Sequence, residues 1–353
     1  MLTIAASELK AILTTCAVSV SRRGYVPGVK DVSIVADSGY LTATTIDLDT
    51  ATIVERPCEY GVHMTAQVRH ADVLAHVRTL SGQVEINGRI GGRKFEGDDE
   101  QAPVPNPATE PTARLTLWPD SLRLATTAVL PCAADDDSRP VLAGVLVRAL
   151  SIGTTLVTAD GFRLATCDMR SVAPYDGHDV IIPATSFAKL RKILPKGNDA
   201  IFVHIWPDRV KFSLVNGVTF WTRTVEGTFP NYGQVFPPEN TIAWNVSVNR
   251  AELLATMKTA AIASKNYAHL SRWDVMADGI TIEVAQDYLA NVDCSARGEP
   301  NPDACQTAFN ARFIAEILAG IGDEYIGLKL ADGNKPMVIE HANGRYLVMP
   351  IAR

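Results

Sequence analysis

Long apolar runs are missing from this 353-residue chain. No stretch approaches the ~18 consecutive residues that a membrane-spanning helix needs. The N-terminus "MLTIAASELK" lacks a basic segment followed by an apolar one, so a secretory leader and a membrane partner are not expected and a cytoplasmic location is. Paired cysteines are missing as well. Cys16, Cys58, Cys132, Cys167, Cys294 and Cys305 lie far apart, with no C-x-x-C and no histidine at zinc spacing, which predicts reduced thiols. The recognisable catalytic motifs are missing too: no G-x-x-x-x-G-K-[ST], no G-x-G-x-x-G after a strand, no G-x-S-x-G and no H-E-x-x-H. No catalytic residue, metal site or cofactor is therefore expected. Asp135, Asp136 and Asp137 are three acids in a row, but consecutive residues rarely converge on one ion, and a solvated acidic loop is expected. The glycine-rich, basic "NGRIGGRKFEG" at 87–97 has no helix start after it, so it reads as strand connections rather than a phosphate cradle.

What is there repeats. The helical stripe of "ASELKAILTTCAVSV" recurs in "WPDSLRLATTAV" and "VNRAELLATMKTAAIAS", which places Leu9, Leu122 and Leu253 at separations of 113 and 131. Hairpin corners recur around Asp47, Asp160 and Asp287, at separations of 113 and 127. Second helices end near Leu80, Leu194 and Ile321, separated by 114 and 127. Three landmarks with nearly the same offsets mark an internal repeat. Two helices among short strands in each copy predict an α+β fold of three similar domains, over 1–111, 112–240 and 241–353. The linkers are expected in the proline-rich "GDDEQAPVPNPATEP" and near "PPENTIAW".

The chain carries a net charge of −6, which argues against simple coating of nucleic acid. Taken as helices, however, 6–23, 65–81, 118–134, 185–197, 248–270 and 307–322 sum to +9, leaving −15 elsewhere. Lys189, Lys192 and Lys196 share one helix face, and Arg250, Lys258 and Lys265 share another. A solvated face accounts for either set singly. The repeated bias points to a phosphate backbone held without base contacts, with Arg22 and Arg23 in the same set.

Five segments, "DDDSRPVLAGVLV", "VTADGFRLATCDM", "VEGTFPNYGQVFP", "TAFNARFIAEIL" and "GRYLVMPIAR", in this order, resemble the bacterial DNA polymerase III β subunit, the sliding clamp family. The resemblance implies the DNA clamp fold: three clamp domains, each with two helices on antiparallel sheets, assembling head-to-tail into a two-copy ring whose helices face double-stranded DNA. It implies a non-catalytic processivity factor, topologically held and sequence-independent, with DNA polymerase and clamp loader docking through short linear peptides.

By motif, the peptide pocket would comprise Leu142, Gly161, Phe162, Arg163, Leu164, Pro230, Val235, Leu347, Met349, Pro350 and Ile351. The corner "TADGFRL" would then set an apolar and a cationic side chain at the docking site. The homodimer would close through Phe95 and Gly97 on one copy and Ile262 and Ala263 on the other. Large apolar residues are usual in the family at the Gly97 and Ala263 positions, so a weakened joint is expected unless Asp98 to Glu100 compensate. The end "MPIAR" also departs from the family pattern. Two alternatives stand beside this reading: a divergent clamp-like protein of a mobile element or virus acting as a decoy or in another assembly, and a metal-dependent nuclease using the acids at 135–137.

Overall fold

The computed structural model describes residues 2–21, 26–59, 61–97, 103–136, 138–150, 153–172, 178–284, 287–297, 301 and 303–351. Three units follow one another along the chain. The first runs β1 (Leu2–Ala5), α1 (Ala6–Cys16), β2 (Asp31–Asp37), β3 (Tyr40–Ile46), β4 (Thr50–Pro57), β5 (Met64–Arg69), α2 (His70–Val77) and β6 (Gln83–Ile86). The second runs β7 (Ala113–Leu117), α3 (Pro119–Val129), β8 (Gly144–Leu150), β9 (Gly153–Ala159), β10 (Arg163–Met169), β11 (Ser171–Val172), β12 (His178–Pro183), α4 (Ala184–Ile193), β13 (Ile201–Ile205), β14 (Arg209–Leu214) and β15 (Val218–Arg223). The third runs β16 (Trp244–Asn249), α5 (Arg250–Ala263), β17 (Leu270–Val275), β18 (Gly279–Val284), β19 (Asp287–Ala296), β20 (Cys305–Asn310), α6 (Ala311–Gly320), β21 (Tyr325–Leu330), β22 (Met337–His341) and β23 (Gly344–Val348).

Each unit pairs two helices against antiparallel strands, as the periodicity predicts. Leu9, Leu122 and Leu253 are all buried on the inner faces of α1, α3 and α5. The helices are shorter than the apolar pattern suggests. Three of them lead into 3-10 turns, at Ala17–Ser19, Leu130–Cys132 and Lys265–Tyr267, and after the last of these Ala268 and His269 reverse the chain with φ of 54° and 57°. Asn249 and Asn310 cap α5 and α6, each side chain accepting from two backbone N–H groups of the first turn.

The sheets cross the unit boundaries. A nine-stranded sheet joins the first and second units where β4 pairs β15, with Thr50 opposite Thr222 and Ala51 opposite Trp221. A twelve-stranded sheet joins the second and third where β10 pairs β23, with Arg163 opposite Val348 and Leu164 opposite Leu347. One large core runs beneath both sheets. Two small satellite clusters sit at the joints: Ile46, Ala51, Trp206 and Trp221 at the first, and Leu142, Leu146, Val157, Ile181 and Phe229 at the second.

The ends of the chain lack this continuity. By the repeat, β19 corresponds to β4 and β10, yet over Ala290 to Asp293 it is paired on the β18 side alone among the described residues. In the first unit the two strands that should follow β6 are reduced to single bridges, Ile86 to Ile90 and Ile90 to Arg93. Among the described residues, β19 therefore keeps an open edge over Ala290 to Asp293, and 94–97 of the first unit form no strand.

Candidate functional site

The second joint is organised by the Asp160 corner. Gly161 takes φ of +95°, a conformation that costs an L side chain and costs glycine little. The Asp160 Oδ1 atom accepts hydrogen bonds from the backbone N–H groups of Phe162 (2.8 Å) and Arg163 (2.9 Å), which locks the turn. Phe162 is left 61% exposed, and its carbonyl accepts from the Met349 N–H at 2.8 Å. Leu164 and Leu347 are buried opposite one another across β10 and β23, and Leu142 is buried in a separate small cluster with Phe229. Pro230 and Val235 follow Phe229 on the linker, Val235 exposed, and Arg345 of β23 stacks on Phe236 at 4.5 Å. Pro350 is half-buried, and the Ile351 N–H donates to Ala308 O at 2.8 Å. Exposed Phe162 and Met349 thus lie together beside the buried Leu164–Leu347 pair, a form suited to receiving apolar side chains.

Arg163 points elsewhere. Only 7% exposed, its Nε donates to Asp160 Oδ2 at 2.9 Å and its Nη1 to Glu316 Oε2 of α6 at 2.7 Å, with the guanidinium 4.3 Å from the Phe313 ring centre. The cation that sequence reading sets at the docking surface is a strut between two units. Burial pushes the Glu316 carboxyl up, but hydrogen bonds and charge from Arg312 and Arg163 outweigh it and hold it below the ordinary 4.5. A carboxyl lowered on folding stabilises the fold above its unfolded pKa and loses that contribution as pH falls through the folded value. The joint is therefore expected to weaken in acid, below the ordinary glutamate range. Arg163→Met is expected to cost about 3 kcal/mol, the low end for breaking a buried pair because Glu316 is partly exposed, and to flatten the acid limb of the unfolding profile. Denaturant melts at neutral and acid pH check both; an unshifted midpoint contradicts the strut.

The first joint repeats this arrangement with a different charge order. Asp47 Oδ1 accepts from the N–H groups of Asp49 (3.0 Å) and Thr50 (2.7 Å), and Asp47 Oδ2 pairs with Lys189 of α4 at 2.5 Å. Lys189 and Glu316 are 127 residues apart, the same offset as the other second-half landmarks. Where the corner carries Arg163 the helix carries Glu316, and where it carries Thr50 the helix carries Lys189. Sequence reading missed this exchange, although the repeat offsets superpose the four positions.

Lys189 is thus committed to Asp47 and Thr50. Arg250 is committed as well, its Nε donating to Asp323 O at 2.7 Å and its Nη1 to Leu318 O at 3.3 Å, where it satisfies the C-terminal end of α6. Lys192, Lys196, Lys258 and Lys265 are exposed. Arg22 and Arg23 lie outside the described residues. Over their observed lengths the six helices carry a net charge of +3 rather than +9, because Lys196 and Lys265 stand just past helix ends, Arg69 and Arg78 flank α2, and α1 ends at Cys16, before Arg22 and Arg23 in the sequence.

Of the closing residues, Phe95 is half-buried against His76 and under Arg93, whereas Ile262 is 78% exposed beside exposed Ala263. A Cβ on Gly97 would sit 2.5 Å from Gln67 O, so this backbone excludes any larger residue there. Asp98 to Glu100 lie outside the described residues. So does Asp137; Asp136 Oδ1 accepts from the Ser138 backbone and hydroxyl, and Asp135 is exposed. Among the described residues no three His, Cys, Asp or Glu side chains group as metal ligands, and no helix is long and apolar enough to cross a membrane. All six cysteines are free, and burial pushes the thiols of Cys16, Cys132 and Cys167 up to about 12.

Residues 116–231 match the family model for the DNA polymerase III beta subunit, central domain. The beta sliding clamp of Synechococcus elongatus is 26% identical over 293 residues, covering 79% of this chain and 74% of that protein. The beta sliding clamp of Pseudomonas putida is 23% identical over 351 residues, 94% of each. Among solved structures, the DNA polymerase sliding clamp of Bacillus subtilis superposes with a TM-score of 0.88 at 18% identity, over 100% of this chain and 99% of that one. The DNA polymerase III subunit beta of Pseudomonas aeruginosa superposes with 0.89 at 21% identity, over 100% of each.

Proposed function

We propose that the chain is a sliding clamp of the bacterial DNA polymerase III β family and serves replication as a non-catalytic processivity factor, two copies closing head-to-tail around double-stranded DNA. The observation that supports the closure is the open edge of β19 over Ala290 to Asp293. Each joint within the chain pairs a corner strand of one unit with the last strand of the next. β19 then remains to pair with a second copy, whose first unit would offer the segment around 95–97 where the other units have their last strand. Three units divided near residues 111 and 240 then make half a ring. Phe95 and Gly97 of one copy face Ile262 and Ala263 of the other, and Lys192, Lys196, Lys258 and Lys265 meet phosphates in the hole. Polymerase and loader peptides occupy the second joint. With no nucleotide-binding loop of its own, the ring is opened by a separate ATP-driven loader.

The closing joint lacks a tie that both internal joints have. The offset of 114 sets Ala75 of α2 where α4 has Lys189, so α2 offers no lysine at that position to β19 of the second copy. Together with glycine at 97 and alanine at 263, this predicts a dimer that dissociates readily on dilution. Light scattering is expected to give twice 38.1 kDa at high concentration, falling towards one copy on dilution. Ala75→Lys is expected to tighten the dimer about two- to fivefold, as an exposed ion pair does. A single copy at every concentration contradicts closure, and an undiminished dimer at nanomolar concentration contradicts the weak joint.

A further inference from the structure

The first joint holds a cleft of about 700 Å³. Its walls correspond, position for position through the repeat, to those of the second joint. Val29 stands for Leu142, Leu48 for Gly161, Ala51 for Leu164 and Trp221 for Leu347, with the first linker supplying Val104 where the second supplies Val235. The floor is apolar: Trp221 is buried against Trp206 with ring centres 5.5 Å apart, over Ile46 and Ala51. Leu48 is 61% exposed and Val104 37% exposed at the mouth. Such a volume takes several side chains at once.

The rim differs in charge from that of the second joint. Asp208 is held by Arg209 and Asp47 by Lys189. Asp49 and Glu226 are exposed and have no ion pair among the described residues, which leaves two acids against Arg223. This rim repels phosphate and complements a cation.

We propose that the first joint is a second docking cleft, for a linear peptide of a partner protein that carries an apolar anchor beside lysine or arginine. The proposal rests on the reading of the second joint as a peptide site, because the repeat equates the two. A ring would then hold two classes of partner on each copy, sorted by the charge next to the anchor.

Two synthetic fluorescein-labelled peptides test this on the full chain: one with a Leu-Phe anchor flanked by lysines, the other with the same anchor flanked by glutamates. The basic peptide is expected to bind, to lose at least about tenfold in affinity on Leu48→Ser and on Glu226→Lys, and to be unaffected by Met349→Ala. Both first-joint positions are exposed, so neither change threatens folding. Absence of binding, insensitivity to both substitutions, or loss on Met349→Ala overturns the proposal. The response of the acidic peptide to Met349→Ala reports on the second joint alone, so failure of that site is distinguishable from failure of this one.

Discussion

Met349→Ala is expected to lower the affinity for polymerase and loader peptides by at least about tenfold, and removal of residues 349 to 353 to abolish it. Met349 is 41% exposed, next to exposed Phe162, above a floor formed by Leu164 and Leu347. Its side chain contributes contact area to a ligand and little to the core, so the alanine variant should melt like the parent. The truncation is less clean. It also removes the hydrogen bonds from Met349 N–H to Phe162 O and from Ile351 N–H to Ala308 O, at a cost of about 1–3 kcal/mol for the pair. Fluorescence titration of a clamp-binding peptide against parent, Met349→Ala and truncation separates the effects. Unchanged affinity after truncation means that the Asp160 corner is a hairpin turn and nothing more. Arg353 lies outside the described residues; its guanidinium is expected to favour peptides with an acid at the facing position.

What the sequence makes legible here is set by period and by turn chemistry. Leu9, Leu122 and Leu253 reveal three copies because a helix must bury the same stripe in each. Asp47 and Asp160 reveal the corners because an aspartate that accepts two backbone N–H groups has few substitutes. Helix ends are less legible. The apolar pattern of α1 continues through Ala17 while the backbone tightens into a 3-10 turn, so a periodic reading overshoots and counts flanking cations as helical.

The roles of individual charges are hidden for a different reason. Lys189, Arg163 and Arg250 have the composition of a basic surface, but each is held by an acceptor distant in sequence: Asp47, Glu316 and the Asp323 carbonyl respectively. No local pattern distinguishes a solvated lysine from one tied across a joint. The internal repeat does, once the four joint positions are superposed and their charges are seen to exchange.

Retention on DNA should depend on whether the DNA has an end. The exposed Lys192, Lys196, Lys258 and Lys265 would supply four phosphate contacts per copy under the proposed function, and the chain as a whole is acidic at −6. Direct affinity of one copy is then expected to fall about a hundredfold between about 50 and 200 mM salt, from the counterions that four contacts release. Closure around the duplex is indifferent to that loss, since leaving requires opening a joint or reaching an end. Replacing the four lysines by alanine should flatten the salt dependence and spare retention on circles. The direct measurement is the lifetime of protein loaded on a nicked circular plasmid at about 200 mM salt, before and after a single restriction cut. The account predicts persistence on the circle and prompt loss on linearisation; equal lifetimes on both forms would contradict it.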